Sequence, residues 1–149
     1  EIRRELSNSG YASRMSKFKP VKNAAVKPLE FKTSSGYRVF CGKNNIQNDH
    51  ITFKLASKLD LWFHVKDLPG SHVIMITDGA EPSERDYTEA AEMAAGYSKA
   101  TADLVAVDYT RVKNVKKPAG ARPGMVVYTT YETAWVTPDG ELAKKLRVK

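Results

Sequence analysis

The chain has 149 residues, of which 42% are hydrophobic and 28% charged, enough apolar material for one packed core and too little length for two comfortable domains. No apolar run approaches the ~18 residues of a membrane span, and the single cysteine, Cys41, excludes an internal disulfide and gives no reason to expect an oxidising compartment. The net charge of +7 is uneven, with 8 basic and 3 acidic side chains in residues 1–32, 5 and 1 in 104–124, but 2 and 6 in 79–103; a basic field confined to particular faces suits a polyanionic partner.

In chain order, Glu1 to Leu6 has the spacing of a helix tail, with Ile2 and Leu6 four apart before Asn8-Ser9-Gly10 stops it. Ser13 to Lys27 is dotted with Lys and Arg, carries Pro20 with Pro28 just beyond its end, and shows neither hydrophobic period, which describes a basic linker. The predicted organisation is therefore a helix end over 1–10, a linker over 11–28, a folded domain over 29–138 and a tail over 139–149. Within the domain, short apolar or alternating runs predict strands at Leu29–Thr33, Tyr37–Cys41, Leu61–Lys66, His72–Thr77, Leu104–Tyr109, Met125–Tyr128 and Thr133–Thr137. Ser34-Ser35-Gly36 supplies a hairpin turn between the first two.

Two helices are predicted. One runs from about Asn48 to Lys58, with Asn48 as N-cap and Ile51, Leu55 and Leu59 as its apolar stripe. The other opens at Pro82-Ser83-Glu84 and repeats Tyr87, Ala90, Ala91, Ala94 and Tyr97 at helical spacing, an alanine-rich face that can lie close on a sheet. Strands outnumber helices without strict alternation. The fold class expected is α+β, a single domain with a largely antiparallel or mixed sheet and two helices, preceded by the basic linker and the helix end.

Four segments carry candidate chemistry. Leu61-Trp-Phe-His-Val-Lys splits, by its period of two, into a core face and a face of Trp62, His64 and Lys66. That second face offers two rings and a cation to an unpaired base and its phosphate, if it is open; if a helix covers it, Trp62 is core. Gly42-Lys-Asn-Asn-Ile-Gln-Asn-Asp sets Lys43, Asn44, Asn45 and Asn48 beside a helix N-terminus, where free N–H groups favour anions. It lacks the second glycine and the ending of a Walker loop, and a turn capped by Asn side chains explains it equally. Asp67-Leu-Pro-Gly-Ser-His delivers Ser71 and His72 to a strand start. A hydrolase triad there has no nucleophile elbow to support it, and His50, His64 and His72 have no metal-site spacing. In Tyr109-Thr-Arg-Val-Lys-Asn-Val-Lys-Lys, an extended chain puts Tyr109, Arg111 and Lys113 on one side as a phosphate-contact strip, against the alternative of a solvated edge strand.

Seven blocks in one order, Gly42-Lys-Asn-Asn-Ile-Gln-Asn-Asp, Leu61-Trp-Phe-His-Val-Lys-Asp, Pro69-Gly-Ser-His-Val, Tyr97-Ser-Lys, Asp108-Tyr-Thr, Lys113-Asn-Val-Lys-Lys-Pro and Gly120-Ala-Arg-Pro-Gly, resemble the NFACT-R domain of RqcH/NEMF-like proteins, some of which were named fibronectin-binding protein A. The likeness spans Leu29 to Pro138, and Glu1 to Gly10 resembles the end of the coiled-coil arm that precedes this domain in bacterial members. Asp139 to Lys149 matches nothing in the family pattern. The resemblance implies a cytoplasmic, ribosome-associated protein that binds obstructed large ribosomal subunits and recruits tRNA for template-free C-terminal tailing, with alanine in bacteria. Full-length members share that work among an N-terminal region, coiled coils and a helix-hairpin-helix segment, so this chain is expected to bind tRNA or rRNA as a module and to catalyse nothing itself.

Carried over by position, the RNA-binding candidates are Lys43, Asn44, Asn45, Asn48, Trp62, His64, Lys66, His72, Lys99, Lys113, Lys116 and Lys117, to which the basic strip adds Arg111. No catalytic residue, metal, cofactor or membrane partner is expected. The alternatives are a fibronectin-binding surface adhesin and a nucleic-acid processing enzyme using His64 or His72.

Overall fold

The computed structural model describes residues 27–148; the expected coiled-coil end, and all of the basic linker but its last two residues, lie outside them. Six strands, β1 (Leu29–Lys32), β2 (Arg38–Cys41), β3 (Leu61–Val65), β4 (Val73–Met75), β5 (Val105–Arg111) and β6 (Glu132–Val136), form one sheet in the order β1-β2-β4-β3-β5-β6. Every neighbouring pair is antiparallel. The chain is therefore α+β, as expected, with the sheet wholly antiparallel.

The period of two along these strands buries residues on both faces. On one, Phe31, Val39, Phe63, Val65, Val73, Met75 and Val107 pack against α2 (Glu84–Gly96) through Ala90, Ala91, Ala94 and Ala95. Alanine lets the helix axis approach, and Ser83 caps it reciprocally with Asp86 in a capping box. The other face carries Phe40, Trp62 and Ile74 under Ile51, Val112 and Val115. A sheet covered on both sides over its middle strands explains why β3 and β4 are almost uninterrupted apolar runs.

Three elements differ from expectation. Helix α1 spans Asn45–His50 and continues as a π-helical turn over Ile51–Leu55, with Asn44 as the N-cap. Asn44 holds an extended backbone and its Oδ1 accepts the Gln47 N–H at 2.9 Å. Asn48 sits inside the helix because its own Oδ1 is taken by the backbone N–H of His72 at 3.1 Å. The wider π turn rotates the buried stripe to Gln47, Asn48, Ile51 and Thr52 and leaves Leu55 and Leu59 exposed.

The Met125–Tyr128 segment is no sheet strand; it makes an isolated bridge, Lys116 with Val127, while Val126 and Tyr128 still turn inward onto the Trp62 cluster. The residues after Pro138 contain a third helix, α3 (Gly140–Leu146), capped by Asp139. It packs Ala143 and Leu146 onto the α2 side, and Val148 then donates its N–H to Glu30 O at 2.8 Å, covering the β1 edge.

Candidate nucleic-acid interface

The strand order sends several motif blocks to one end of the sheet. There β2 and β3 finish, β4 and β5 begin and α2 ends. Lys43 follows β2, Lys66 follows β3, Ser71 and His72 precede β4, and Lys99 follows α2.

His72 is the hub of this end. It is 1% exposed. Its Nδ1 receives the Trp62 indole N–H at 3.2 Å and lies 2.9 Å from the Thr52 hydroxyl, and its Nε2 lies 3.2 Å from Gly124 O. An indole N–H only donates, so Nδ1 accepts and Nε2 carries the proton to Gly124 O. Burial pushes the His72 pKa down to about 3, with the neighbouring His64 adding to the effect. Its backbone carbonyl accepts the N–H of Gly42 at 3.1 Å. A Cβ on Gly42 would lie 2.1 Å from Asn48 Oδ1, so glycine is what lets this loop close onto α1. Gly124, at φ +87°, crowds the Asn45 side chain in the same way, and its N–H donates to Asp49 Oδ1 at 2.8 Å.

Trp62, expected as a stacking platform, is 0% exposed. His64 stacks on it with ring centroids 5.7 Å apart, and Tyr128 tilts over it at 4.8 Å. Sealed beneath α1 and the 112–128 segment, the indole is core and offers no surface to a base. His64 is half-buried, its Nδ1 2.6 Å from Val65 O and its pKa lowered by burial. With both ring nitrogens of His72 engaged, His72 forms no triad with Ser71 and Asp67. Among the described residues no group of three or more His, Cys, Asp or Glu is placed to hold a metal ion, and no helix is long and apolar enough to cross a membrane.

The expected basic strip is broken. Arg111, the last residue of β5, donates to Leu59 O at 2.6 Å, to Thr77 Oγ1 at 2.9 Å, to Ala80 O at 3.3 Å and to Glu81 at 3.2 Å, so it locks a turn. The chain then enters a 3-10 turn at Val112–Asn114, which takes the exposed Lys113 out of the extended register, at the end of the sheet opposite Lys43. Lys116 is exposed and its backbone pairs with Val127. Lys117 is tied down, with Nζ 3.0 Å from Asp49 and 2.8 Å from Arg122 O. The candidate cations thus fall into three groups rather than one patch.

One of those groups lines a concavity. An open cleft of about 410 Å³ is walled by Gly42 and Lys43 on one side and Ser98 and Lys99 on the other, with Gly70, Ser71 and Tyr97 between. Its floor is a backbone zipper: Ser71 N–H to Tyr97 O at 3.0 Å and Lys99 N–H to Pro69 O at 2.9 Å. Gly70 is required there, since a Cβ would lie 2.9 Å from that of Ser98. Both lysines are exposed. Two ammonium groups and a half-exposed tyrosine around a glycine-lined groove are suited to phosphate and ribose oxygens, while the Ser98 hydroxyl is already donated to Ala95 O at 2.7 Å. Ser71, Ser98 and Tyr97 are absent from the RNA-binding candidates named from sequence, although Pro69-Gly-Ser-His-Val and Tyr97-Ser-Lys are two of the seven blocks.

The comparisons with known proteins agree with that block pattern. A relative from Streptococcus suis named Rqc2 homolog RqcH is 45% identical over 99% of this chain and 27% of its own length, and one of the same name from Bacillus subtilis is 41% identical over 99% and 26%. The chain thus spans about a quarter of the length of these relatives. The solved C-terminal part of the fibronectin/fibrinogen-binding protein from Streptococcus suis superposes with a TM-score of 0.78 at 45% identity, over 83% of this chain and 50% of that one. The family model described as NFACT protein RNA binding domain matches residues 27–129, a span that takes in β1 to β5, the cleft and the His72 hub, and the chain belongs to that family.

Proposed function

We propose that this chain binds RNA, as a non-catalytic module, through the end of the sheet that carries Lys43, Lys66 and Lys99. The carrying observation is the cleft, which three blocks far apart in sequence build together. Lys43 and Lys99 face a phosphate backbone from opposite walls, Asn44 and Asn45 extend the polar rim beside Lys43, and Lys116 adds charge along the 112–128 segment. Trp62, His72 and Asn48 act behind this surface by holding its loops in register. In the longer protein the module serves ribosome-associated quality control in the cytoplasm: it helps engage an obstructed large subunit and a tRNA, while alanine tailing needs regions beyond these residues. The support for that context is the family membership and the RqcH relatives.

Filter binding to tRNA over a series of salt concentrations tests the reading. The chain is expected to bind at low salt and to weaken as salt rises. Lys43→Ala with Lys99→Ala is expected to lower affinity across RNA sequences and to reduce the salt slope by about 1 per lost phosphate contact. Absence of binding at low salt overturns the proposal.

Fibronectin binding is a second reading, motivated by the likeness to the fibronectin/fibrinogen-binding protein of Streptococcus suis. It predicts retention on immobilised fibronectin after nuclease treatment at physiological salt; retention that salt abolishes marks charge capture instead.

A further inference from the structure

The face of the sheet that buries Trp62 is not covered to its edge. Antiparallel register places Trp135 of β6 opposite Ala106 of β5. On the other side of Ala106, Lys66 continues β3 and donates its backbone N–H to Ala106 O at 2.9 Å. Lys66, Ala106 and Trp135 therefore form one row across three strands, on the side that carries His64, Asp108 and Thr133 in the next row. Trp135 is 64% exposed, in contrast to the fully buried Trp62.

The Lys66 ammonium is held over this open region. It lies 4.7 Å from the Tyr131 ring centroid, 3.3 Å from the Tyr131 hydroxyl and 3.4 Å from Asp108 Oδ1, and its side chain remains 35% exposed. Asp108 is occupied elsewhere as well, accepting from the Tyr128 hydroxyl at 2.6 Å and Thr133 Oγ1 at 2.9 Å. Its charge is thus spread over three donors, and the ammonium keeps donor capacity toward solvent.

From the open indole, the small residue beside it and the fixed ammonium beyond, we infer that the Trp135 face is a stacking platform for an unpaired nucleotide of RNA. Two strand spacings, roughly 10 Å, separate the backbones of Trp135 and Lys66, and the Lys66 side chain turns along the sheet to put its ammonium at Asp108 and Tyr131, where it can meet a phosphate of a nucleotide whose base lies on the indole. Ala106 leaves the space between them clear. A protein partner would want a contiguous apolar surround for a tryptophan anchor, but the row offers a methyl group and a cation, with the exposed Thr133 before Trp135 on β6 and the exposed Thr137 just past the strand's end. The platform also lies toward the end of the sheet that holds Lys43 and Lys99. This inference rests on the RNA-binding proposal and adds to it a preference for unpaired over duplex RNA.

Titration of the chain with a single-stranded oligoribonucleotide and with a duplex of the same sequence, at one salt concentration, provides the test. Trp135→Ala is expected to weaken single-strand binding about 5- to 100-fold, the range of one lost base–aromatic stack, with duplex binding and salt slope unchanged. Trp135→Phe is expected to recover most of the loss, and unchanged thermal melting of both variants shows that the fold is intact. Full single-strand affinity in Trp135→Ala, alongside weakened binding in Lys43→Ala with Lys99→Ala, overturns the platform and leaves the RNA reading standing. Absence of any RNA binding in the unaltered chain overturns both. A self-association that Trp135→Ala abolishes without changing RNA affinity reassigns the indole to a protein interface and overturns the platform.

Discussion

The indole N–H of Trp62 points at Nδ1 of His72 across 3.2 Å, and that nitrogen also lies 2.9 Å from the Thr52 hydroxyl. A proton on Nδ1 would face the fixed indole donor, so the folded chain holds His72 as the neutral Nε2–H tautomer.

This arrangement makes stability depend on pH. The unfolded chain takes up a proton at the ordinary histidine value of 6.5, whereas the native chain resists until about pH 3. The stabilisation is complete above about pH 6.5 and is lost as pH falls through the interval between 6.5 and 3, because there the unfolded state binds the extra proton. Urea unfolding at pH 5 against pH 7 is expected to show a loss of about 2 kcal/mol from this residue. His64, lowered in the same direction, steepens it. His72→Gln, which has no ring to protonate, should be less stable at pH 7 but lose distinctly less between the two values; an unaltered pH slope in that variant refutes the assignment.

Trp62→Ala should act on stability and not on RNA contact. The side chain is fully enclosed by His64, His72 and Tyr128, so truncation is expected to cost about 3–5 kcal/mol in chemical denaturation. Trp62→Phe keeps most of the volume and loses the hydrogen bond, for a smaller cost of about 1–2 kcal/mol. If Trp62→Phe keeps full stability but binds RNA much more weakly, the indole is reached by RNA after all and its placement as core is wrong.

What can be read from sequence follows the range of the interactions concerned. Helix α2 is legible because its cap, Ser83 with Asp86, and its alanine face lie within a dozen residues. The start of α1 is not: Asn44 and Asn48 are equally good caps locally, and the choice is made 24 positions on by His72, just before β4, whose N–H takes the Asn48 side chain. Period two correctly divides β3 into two faces, but whether a face is covered depends on segments such as Val112, Val115 and Tyr128 that arrive from elsewhere. Trp135 escapes sequence reading for the same reason, since nothing in Thr133 to Thr137 announces that β6 is the edge of the sheet and lies beyond the covering layer. The split of the lysines into three groups likewise follows from the strand order and the 3-10 turn after Arg111.

Two glycines offer opposite outcomes for the same substitution. Gly42→Ala drives a methyl group to 2.1 Å from Asn48 Oδ1, which is held by His72; the loop must shift, at a cost of roughly 2–4 kcal/mol from overpacking and a lost hydrogen bond. Gly96 ends α2 with nothing within 4 Å of where its Cβ would stand. Gly96→Ala is expected to stabilise by about 0.4–1 kcal/mol through helix propensity and a less flexible unfolded chain. Denaturation midpoints of the two variants, moving in opposite directions, check both.

Lys117 separates a structural lysine from a binding one. Its ammonium is paired with Asp49 at 3.0 Å, with the two side chains 30% and 24% exposed, and Asp49 also accepts the Gly124 N–H. That pair ties the 112–128 segment to α1 and so helps close the layer over Trp62. Partial exposure discounts its strength, so Lys117→Ala is expected to cost only about 1 kcal/mol of stability. Because the ammonium is already satisfied by Asp49 and Arg122 O, its removal should leave the salt slope of RNA binding close to that of the unaltered chain. Lys43→Ala should do the reverse, since its exposed ammonium has no carboxylate partner within ion-pair distance among the described residues. Measuring unfolding and the salt dependence of tRNA binding on both variants decides it: a slope reduced by Lys117→Ala with stability intact would mean that the ammonium leaves Asp49 for a phosphate when RNA binds.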